Sequence, residues 1–111
     1  MIHIVIYRDS AENIQGFLVE GHAGYADHGR DIVCAGVSAI AQTALLGLND
    51  VANIKPAYEI NDGWLKCTVP SNISAADREK ANIILKTMLQ GFRSIQLKYR
   101  KFLSIEEREV S

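Results

Sequence analysis

Two side chains able to do nucleophilic chemistry, His22 and Cys34, lie close together in the segment EGHAGYADHGRDIVCAGVSAIA, residues 20–41. Cys34 falls in the predicted first turn of a helix, where unpaired backbone N–H groups carry partial positive charge and favour the thiolate. The connection between the two residues is short enough to fold back and bring the imidazole near the thiol. The pattern therefore predicts a cysteine nucleophile, Cys34, with a histidine base, His22.

The second cysteine, Cys67, has none of these features. It lies between Lys66 and Thr68 in a predicted strand, so packing in the core is the favoured interpretation. The N-terminus, MIHIVIYRDS, has neither a basic leader nor a small-residue cleavage site, and no segment is expected to approach the length of a membrane span. We therefore expect a cytoplasmic protein with two free, reduced thiols and no membrane partner.

Two other uses of the same loop are open. His22, His28 and Cys34 are evenly spaced and, with Asp27 or Asp31, could bind zinc, although no pair has the tight spacing of metal knuckles. The glycines before the helix could bind phosphate, but the lysine and the spacing of a P-loop are missing. Neither alternative is favoured over a nucleophilic role for Cys34, and no metal or cofactor is predicted.

The flanking sequence predicts the elements that position these residues. Alternating β-branched residues predict a strand over residues 2–8, and a second strand over residues 14–20 pairs with it in antiparallel fashion. A helix follows from about residue 33 to about residue 52, with Asp31 placed to cap its first turn. This helix is apolar on nearly all sides, so it needs cover from a second helix or a second subunit.

The second half repeats the order of hairpin and helix. Residues 57–60 and 65–69 read as strands around an Asp-Gly turn, and Ser74 caps a second helix. The last segment, residues 103–110, fits either a helix end or a final strand. The core stripe of the second helix is predicted to be Ala81, Ile84, Leu85, Met88, Phe92, Ile95 and Tyr99.

The predicted fold is α+β, a two-layer sandwich in the order ββαββα, with two helices packed on one face of a four- to five-stranded sheet. Residues 1–111 are expected to form one domain. The formal net charge of −1 gives no global signal for nucleic acid, and none is predicted to bind. The basic run Arg93, Lys98, Arg100 and Lys101 is interpreted as a solvated helical face.

The motif around the two reactive residues also resembles a known family. Gly21-His22-Ala23, followed by GRDIVCAGVSA over residues 29–39, is similar to the motif of the ribosomal-processing cysteine proteases called Prp. The likeness is specific within residues 20–41 and is one of pattern elsewhere. It implies a cytoplasmic homodimer that removes a short N-terminal extension from the precursor of large-subunit ribosomal protein L twenty-seven, cutting after paired aromatic residues.

Carried over by motif position, the resemblance implies Cys34 as the nucleophile and His22 as the base. Asp31 is a plausible third member, although helix capping explains it equally well, and Ser38, one turn after Cys34, would line the same site. The backbone N–H groups of Cys34 and Ala35 are suited to hold the oxyanion.

The loop with Gly21, Gly24 and Gly29 is expected to be flexible, to open for substrate and to order on binding. The alternative hypothesis is a non-catalytic, dimeric ribosome-assembly or adaptor domain, in which the apolar helix mediates dimerisation.

Overall fold

The structure, a computed structural model, describes residues 1–27 and 30–110. Its elements follow the predicted order, with one strand added at the end. They are β1 (Ile2–Arg8), β2 (Ile14–Gly21), α1 (Ile32–Leu46) continued by a π-helical turn (Gly47–Val51), β3 (Ala57–Asn61), β4 (Trp64–Thr68), α2 (Ala75–Tyr99) and β5 (Leu103–Glu109).

The five strands form one sheet in the order β3-β4-β2-β1-β5. The pairs β1 with β2, β2 with β4, and β3 with β4 are antiparallel, whereas β5 is parallel to β1, with Leu103 beside Ile2. The predicted α+β fold is confirmed, and the ambiguous last segment is a strand. Because β5 joins the sheet beside the first strand, β3 and β5 are left as its two edges.

The alternation of β1 decides which face of the sheet is covered. Ile2, Ile4 and Ile6 are at most 2% exposed, and their partners across the sheet include Val19 and Phe17 on the same face. Both helices contribute buried side chains to this cluster, so they lie on one face as predicted. The helical members with the least exposure are Val33, Val37, Ala41, Leu48, Ala81, Leu85, Leu89 and Phe92.

The first helix receives its cover from the second. Glycines let the two helices approach closely: a Cβ on Gly36 would lie 3.4 Å from Ile95, and one on Gly91 would lie 3.1 Å from Ile40. The expected long helix over residues 33–52 changes at Gly47 into a π-helical turn that ends at Val51. The cover expected from a second helix is therefore supplied within the chain.

The expectation that no segment approaches the length of a membrane span is wrong. By length and composition alone, the helical segment Ile32–Val51 is long and apolar enough to cross a membrane, with a mean hydropathy of 1.6. A core helix of a globular protein has the same properties, because it too is enclosed by apolar neighbours. Here the buried side of that segment, including Val33, Val37 and Ala41, packs into the core shared with the sheet.

Candidate active site

Cys34 lies in the first turn of α1, half-buried, and faces the chain that leads out of β2. The backbone N–H of Ala23 donates to Cys34 Sγ at 3.2 Å, and Ala23 itself is only 4% exposed. The segment after β2 therefore folds back over the helix N-terminus, as the short connection predicted. This bond fixes the position of the sulfur beside the loop.

His22 lies directly after β2, and its ring rests against the turn between β3 and β4. A Cβ on Gly63 would lie 2.8 Å from His22 Nε2, and the N–H of Gly21 donates to the Gly63 carbonyl at 2.9 Å. Gly63 has φ +69°, a left-handed conformation that glycine adopts without strain. The turn thus contacts the imidazole, and a side chain at residue 63 would displace it.

Cys34 and His22 line the same cleft, whose volume is about 620 Å³. One wall is the face of α1 that carries Cys34, Ser38 and Gln42, and the opposite wall is the β3–β4 hairpin, residues 60–65. Val19 contributes to the lining from β2. A cleft of this size is in the range that holds a small ligand or a short peptide segment.

Asp31 ties the loop to the helix. It is 7% exposed; its Oδ1 accepts from the N–H groups of Val33 and Cys34, and its Oδ2 accepts from those of Tyr25 and Ala26. Desolvation acts to raise the pKa of Asp31, but these four backbone hydrogen bonds outweigh it and hold the pKa below its ordinary value of 3.8. Since both oxygens are engaged with backbone donors, the geometry favours a cap and loop anchor over a third member of a triad.

The same contacts engage the two N–H groups expected to hold the oxyanion. The Cys34 N–H donates to Asp31 Oδ1 at 3.0 Å, and the Ala35 N–H donates to the Asp31 carbonyl at 3.0 Å. Both groups are already used in starting the helix, so neither is available to a substrate in this conformation. That these groups hold the oxyanion stays a prediction, and it requires a substrate to compete with Asp31 for both donors.

The other residues predicted for the site fall into different places. Ser38 lines the cleft, and its hydroxyl accepts from Gln42 Nε2 at 2.7 Å. Gly24 lines the cleft and has φ +73°. Gly21 is the last residue of β2 and is not part of the loop. A Cβ on Gly21 would lie 2.4 Å from the Met1 carbonyl oxygen. Gly29 lies outside the described residues.

Tyr25 provides a further anchor for the loop that sequence analysis did not identify. Its ring meets those of Tyr99 and Phe102 edge-on, with centroids 5.5 and 5.3 Å apart. Such pairs contribute about 0.5–1.5 kcal/mol beyond the area they bury. The loop therefore contacts the corner between α2 and β5 as well as Asp31.

Cys67 is a free thiol that is 1% exposed in β4 and belongs to the core, which confirms the interpretation made from its neighbours in sequence. Burial raises the pKa of the Cys67 thiol to about 12. It therefore stays protonated at neutral pH and has no nucleophilic role.

Within residues 1–27 and 30–110, no group of three or more His, Cys, Asp or Glu side chains could hold a metal ion. The zinc site considered above includes His28, which lies outside this part of the chain. In the basic run, Arg93 pairs with Glu107 at 3.1 Å and the ammonium of Lys98 lies 5.8 Å from the ring centre of Tyr99.

The β3–β4 hairpin is the part of the site that sequence analysis missed. The Asp-Gly turn at Asp62 and Gly63 is a hairpin signal in the sequence, but nothing local indicates that it lies beside His22. Only the pairing of β4 with β2, which sets Trp64 beside Glu20, carries the turn to the end of β2 where His22 follows.

Comparisons with known proteins agree with this fold. The family described as cysteine protease Prp matches residues 1–104 of the chain. A Bacillus subtilis protein named ribosomal processing cysteine protease Prp is 30% identical over 107 residues, which cover 95% of this chain and 96% of that protein. A Staphylococcus aureus protein of the same name is 28% identical over 104 residues, covering 91% and 93%.

Solved structures show the same architecture. The Staphylococcus aureus protease Prp, solved in complex with a covalently linked product peptide, superposes with a TM-score of 0.87 at 24% identity, covering 97% of this chain and all of the other. A Streptococcus mutans protein superposes with a TM-score of 0.82 at 23% identity, covering 99% and 96%. At these identities the likeness establishes the fold.

Proposed function

This chain belongs to the Prp family of cysteine proteases, and we propose that it removes the N-terminal extension from the precursor of large-subunit ribosomal protein L twenty-seven, cutting after aromatic residues. Support for a ribosomal substrate comes from the names of its relatives in Bacillus subtilis and Staphylococcus aureus. Family membership favours a protease over the alternative of a non-catalytic adaptor domain. The proposed location is the cytoplasm.

One observation carries the assignment of the nucleophile: the Ala23 N–H points at Cys34 Sγ at 3.2 Å in the cleft that His22 also lines. A structural cysteine needs no donor to its sulfur and no access to a cleft. Cys34 has both, whereas Cys67 is enclosed in the core. We therefore assign Cys34 as the nucleophile and His22 as the general base and acid.

The reaction follows the chemistry of acyl transfer. The Cys34 thiolate attacks the scissile carbonyl carbon, and the tetrahedral intermediate expels the amine as protonated His22 gives it a proton. The new amino terminus departs, leaving a thioester on Cys34. Neutral His22 then takes a proton from water, whose oxygen attacks the thioester carbonyl and releases the carboxylate and the thiol.

While Asp31 holds the N–H groups of Cys34 and Ala35, the oxyanion needs another donor. We assign the Ala23 N–H to this task, since it already reaches Sγ and can move to the oxygen that forms beside the sulfur. A donor of this kind is typically worth about 3 kcal/mol. Asp31 acts here as a positioning residue that holds the loop and the helix start together.

The homodimer is part of the same proposal. Val51 and Leu46, near the C-terminal end of the first helical segment, are 84% and 56% exposed, which leaves an apolar surface for a second copy to cover. Sedimentation of the protein as a monomer at micromolar concentration would contradict it.

The decisive experiment is cleavage of a peptide that carries an aromatic-rich ribosomal-protein N-terminus. Wild-type protein is expected to cleave it, and Cys34→Ala and Cys34→Ser to lose at least about a thousandfold in kcat/KM while circular dichroism shows the fold intact. Cys67→Ala is the matched control, because it removes the other thiol and leaves the cleft unchanged. Cleavage that survives in both Cys34 variants would overturn the assignment.

A further inference from the structure

The two edges of the sheet are protected very differently. The edge strand β5 ends in EERE, residues 106–109, and charges on an edge discourage pairing with another strand. The edge strand β3 is exposed at all five positions and carries one charged residue, Glu59. An edge of this kind is a template for strand addition unless something covers it.

The exposed apolar residues of β3 lie on the face of the sheet that carries the core. Tyr58 pairs with Cys67 and Ile60 with Leu65, and paired residues of neighbouring strands point to the same face. Cys67 and Leu65 are buried, yet Tyr58 and Ile60 remain 55% and 49% exposed. The two side chains therefore form an apolar shelf, defined as Tyr58 and Ile60, that the helices leave open.

This shelf is continuous with the cleft of Cys34. Ile60 lines that cleft together with Cys34, Ser38 and Gln42, which follow one another at successive turns of α1. From Cys34 to Gln42 the helix rises roughly 12 Å, at about 1.5 Å per residue. An extended chain covers this distance with about three to four residues, at about 3.3 Å each.

We propose that an extended segment of about three to four substrate residues, on one side of the scissile bond, binds between α1 and β3 as an added strand on the free edge of β3. Backbone hydrogen bonds to β3 supply affinity, and an apolar side chain of the substrate packs on Ile60 and the shelf. This inference rests on the proposed function only in taking a peptide substrate of Cys34 as the occupant. Ile60 is then a residue that selects substrates by their apolar side chain.

Hydrogen exchange tests the strand pairing directly. The Cys34→Ala protein, which cannot cleave, is mixed with the aromatic-rich ribosomal-protein peptide, and hydrogen exchange of the β3 amides is followed by NMR. If the alanine variant does not fold, Cys34→Ser is used in its place. The peptide is expected to slow exchange of alternate β3 amides, because every second N–H of an edge strand points outward. Exchange slowed elsewhere but not in β3 overturns the proposal.

A matched pair of substitutions tests the shelf. Ile60→Ser, made in the Cys34→Ala background, is expected to weaken the peptide Kd about tenfold, as loss of a buried isoleucine contact should. Ile83→Ser removes an isoleucine that is 62% exposed on α2, away from the cleft, and should leave the Kd unchanged. Equal effects of the two substitutions contradict the proposal.

The four combined outcomes separate this inference from the proposed function. Protection of β3 together with cleavage by wild type supports both. Protection without cleavage keeps the strand addition and rejects the protease assignment. Cleavage without protection keeps the protease and rejects the strand addition, and absence of both rejects both.

Discussion

The two thiols of this chain lie in opposite environments, although α1 and β4, the elements that carry them, contribute to the same core. Cys34 is half-buried at the N-terminus of α1, beside a cleft, with a backbone N–H directed at its sulfur. Cys67 lies in β4 at 1% exposure, and burial raises the pKa of that thiol to about 12. The difference shows that position decides what surrounds a thiol: the loop that folds back over the start of α1 brings a donor and a cleft to Cys34, whereas Cys67 lies in the core.

Alkylation compares the two thiols directly in the unsubstituted protein. At pH 8, roughly one Cys67 thiol in ten thousand is ionised, given its pKa of about 12. Iodoacetamide is therefore expected to modify Cys34 at least about a hundredfold faster than Cys67 in the folded protein, as measured by peptide mass spectrometry. Urea-unfolded protein is the control, in which the two thiols should react at similar rates. Similar rates in the folded protein would contradict the conclusion that Cys34 and Cys67 lie in different environments.

The next prediction is an effect on cleavage of a substitution at Gly63, which belongs to the turn before β4 and contacts His22. Gly63→Asn is expected to lower kcat/KM about ten- to a hundredfold, because a Cβ placed 2.8 Å from His22 Nε2 displaces the imidazole. Stability should change little, since asparagine tolerates the left-handed conformation.

Asn53→Ala is the control for this experiment. It places alanine at another left-handed position, φ +57°, that is exposed and does not line the cleft. It should cost about 1 kcal/mol in the free energy of unfolding and leave cleavage unchanged. If Gly63→Asn retains full kcat/KM, the contact between the turn and His22 has no catalytic importance.

The smallest effect compares the two helix caps. Asp31→Ala is expected to lower the free energy of unfolding by about 2 kcal/mol at pH 7, because the buried carboxylate satisfies four N–H groups. Ser74→Ala should cost about 0.5–1 kcal/mol, since its hydroxyl accepts from one N–H, that of Asp77, at an exposed position. Urea unfolding measures both, and a cost for Asp31→Ala no larger than for Ser74→Ala would show that Asp31 does not anchor the loop.

The cap at Asp31 also has a defined pH dependence. Because the pKa of Asp31 is lower in the folded protein than its ordinary value of 3.8, its contribution is complete well above pH 3.8 and is lost as the pH falls through the lower folded value. The difference in unfolding free energy between wild type and Asp31→Asn should therefore shrink below about pH 3.8. A difference that stays constant from pH 7 to pH 3 would contradict the assignment.

Much of this could be predicted from short stretches of sequence. The alternation of Ile2, Ile4 and Ile6 predicts a half-buried strand, and Asp31 and Ser74 stand where helices begin. These features depend on interactions between residues a few positions apart, so their physics is contained in the local sequence. The candidate pair His22 and Cys34 could be named from residue type and from the predicted start of the helix.

The tertiary structure decided the rest. That Gly63 contacts His22, and that Ile60 lines the cleft together with Cys34, follows from the pairing of β4 with β2 and β3, which joins segments far apart in sequence. The use of the Cys34 and Ala35 N–H groups by Asp31 follows from its role as a cap, but the bonds from the Tyr25 and Ala26 N–H groups to the same residue depend on how the loop folds back. Local sequence thus determined which residues can react, and the packing of distant strands and helices determined what surrounds them, because a contact between distant segments depends on the register of the whole sheet.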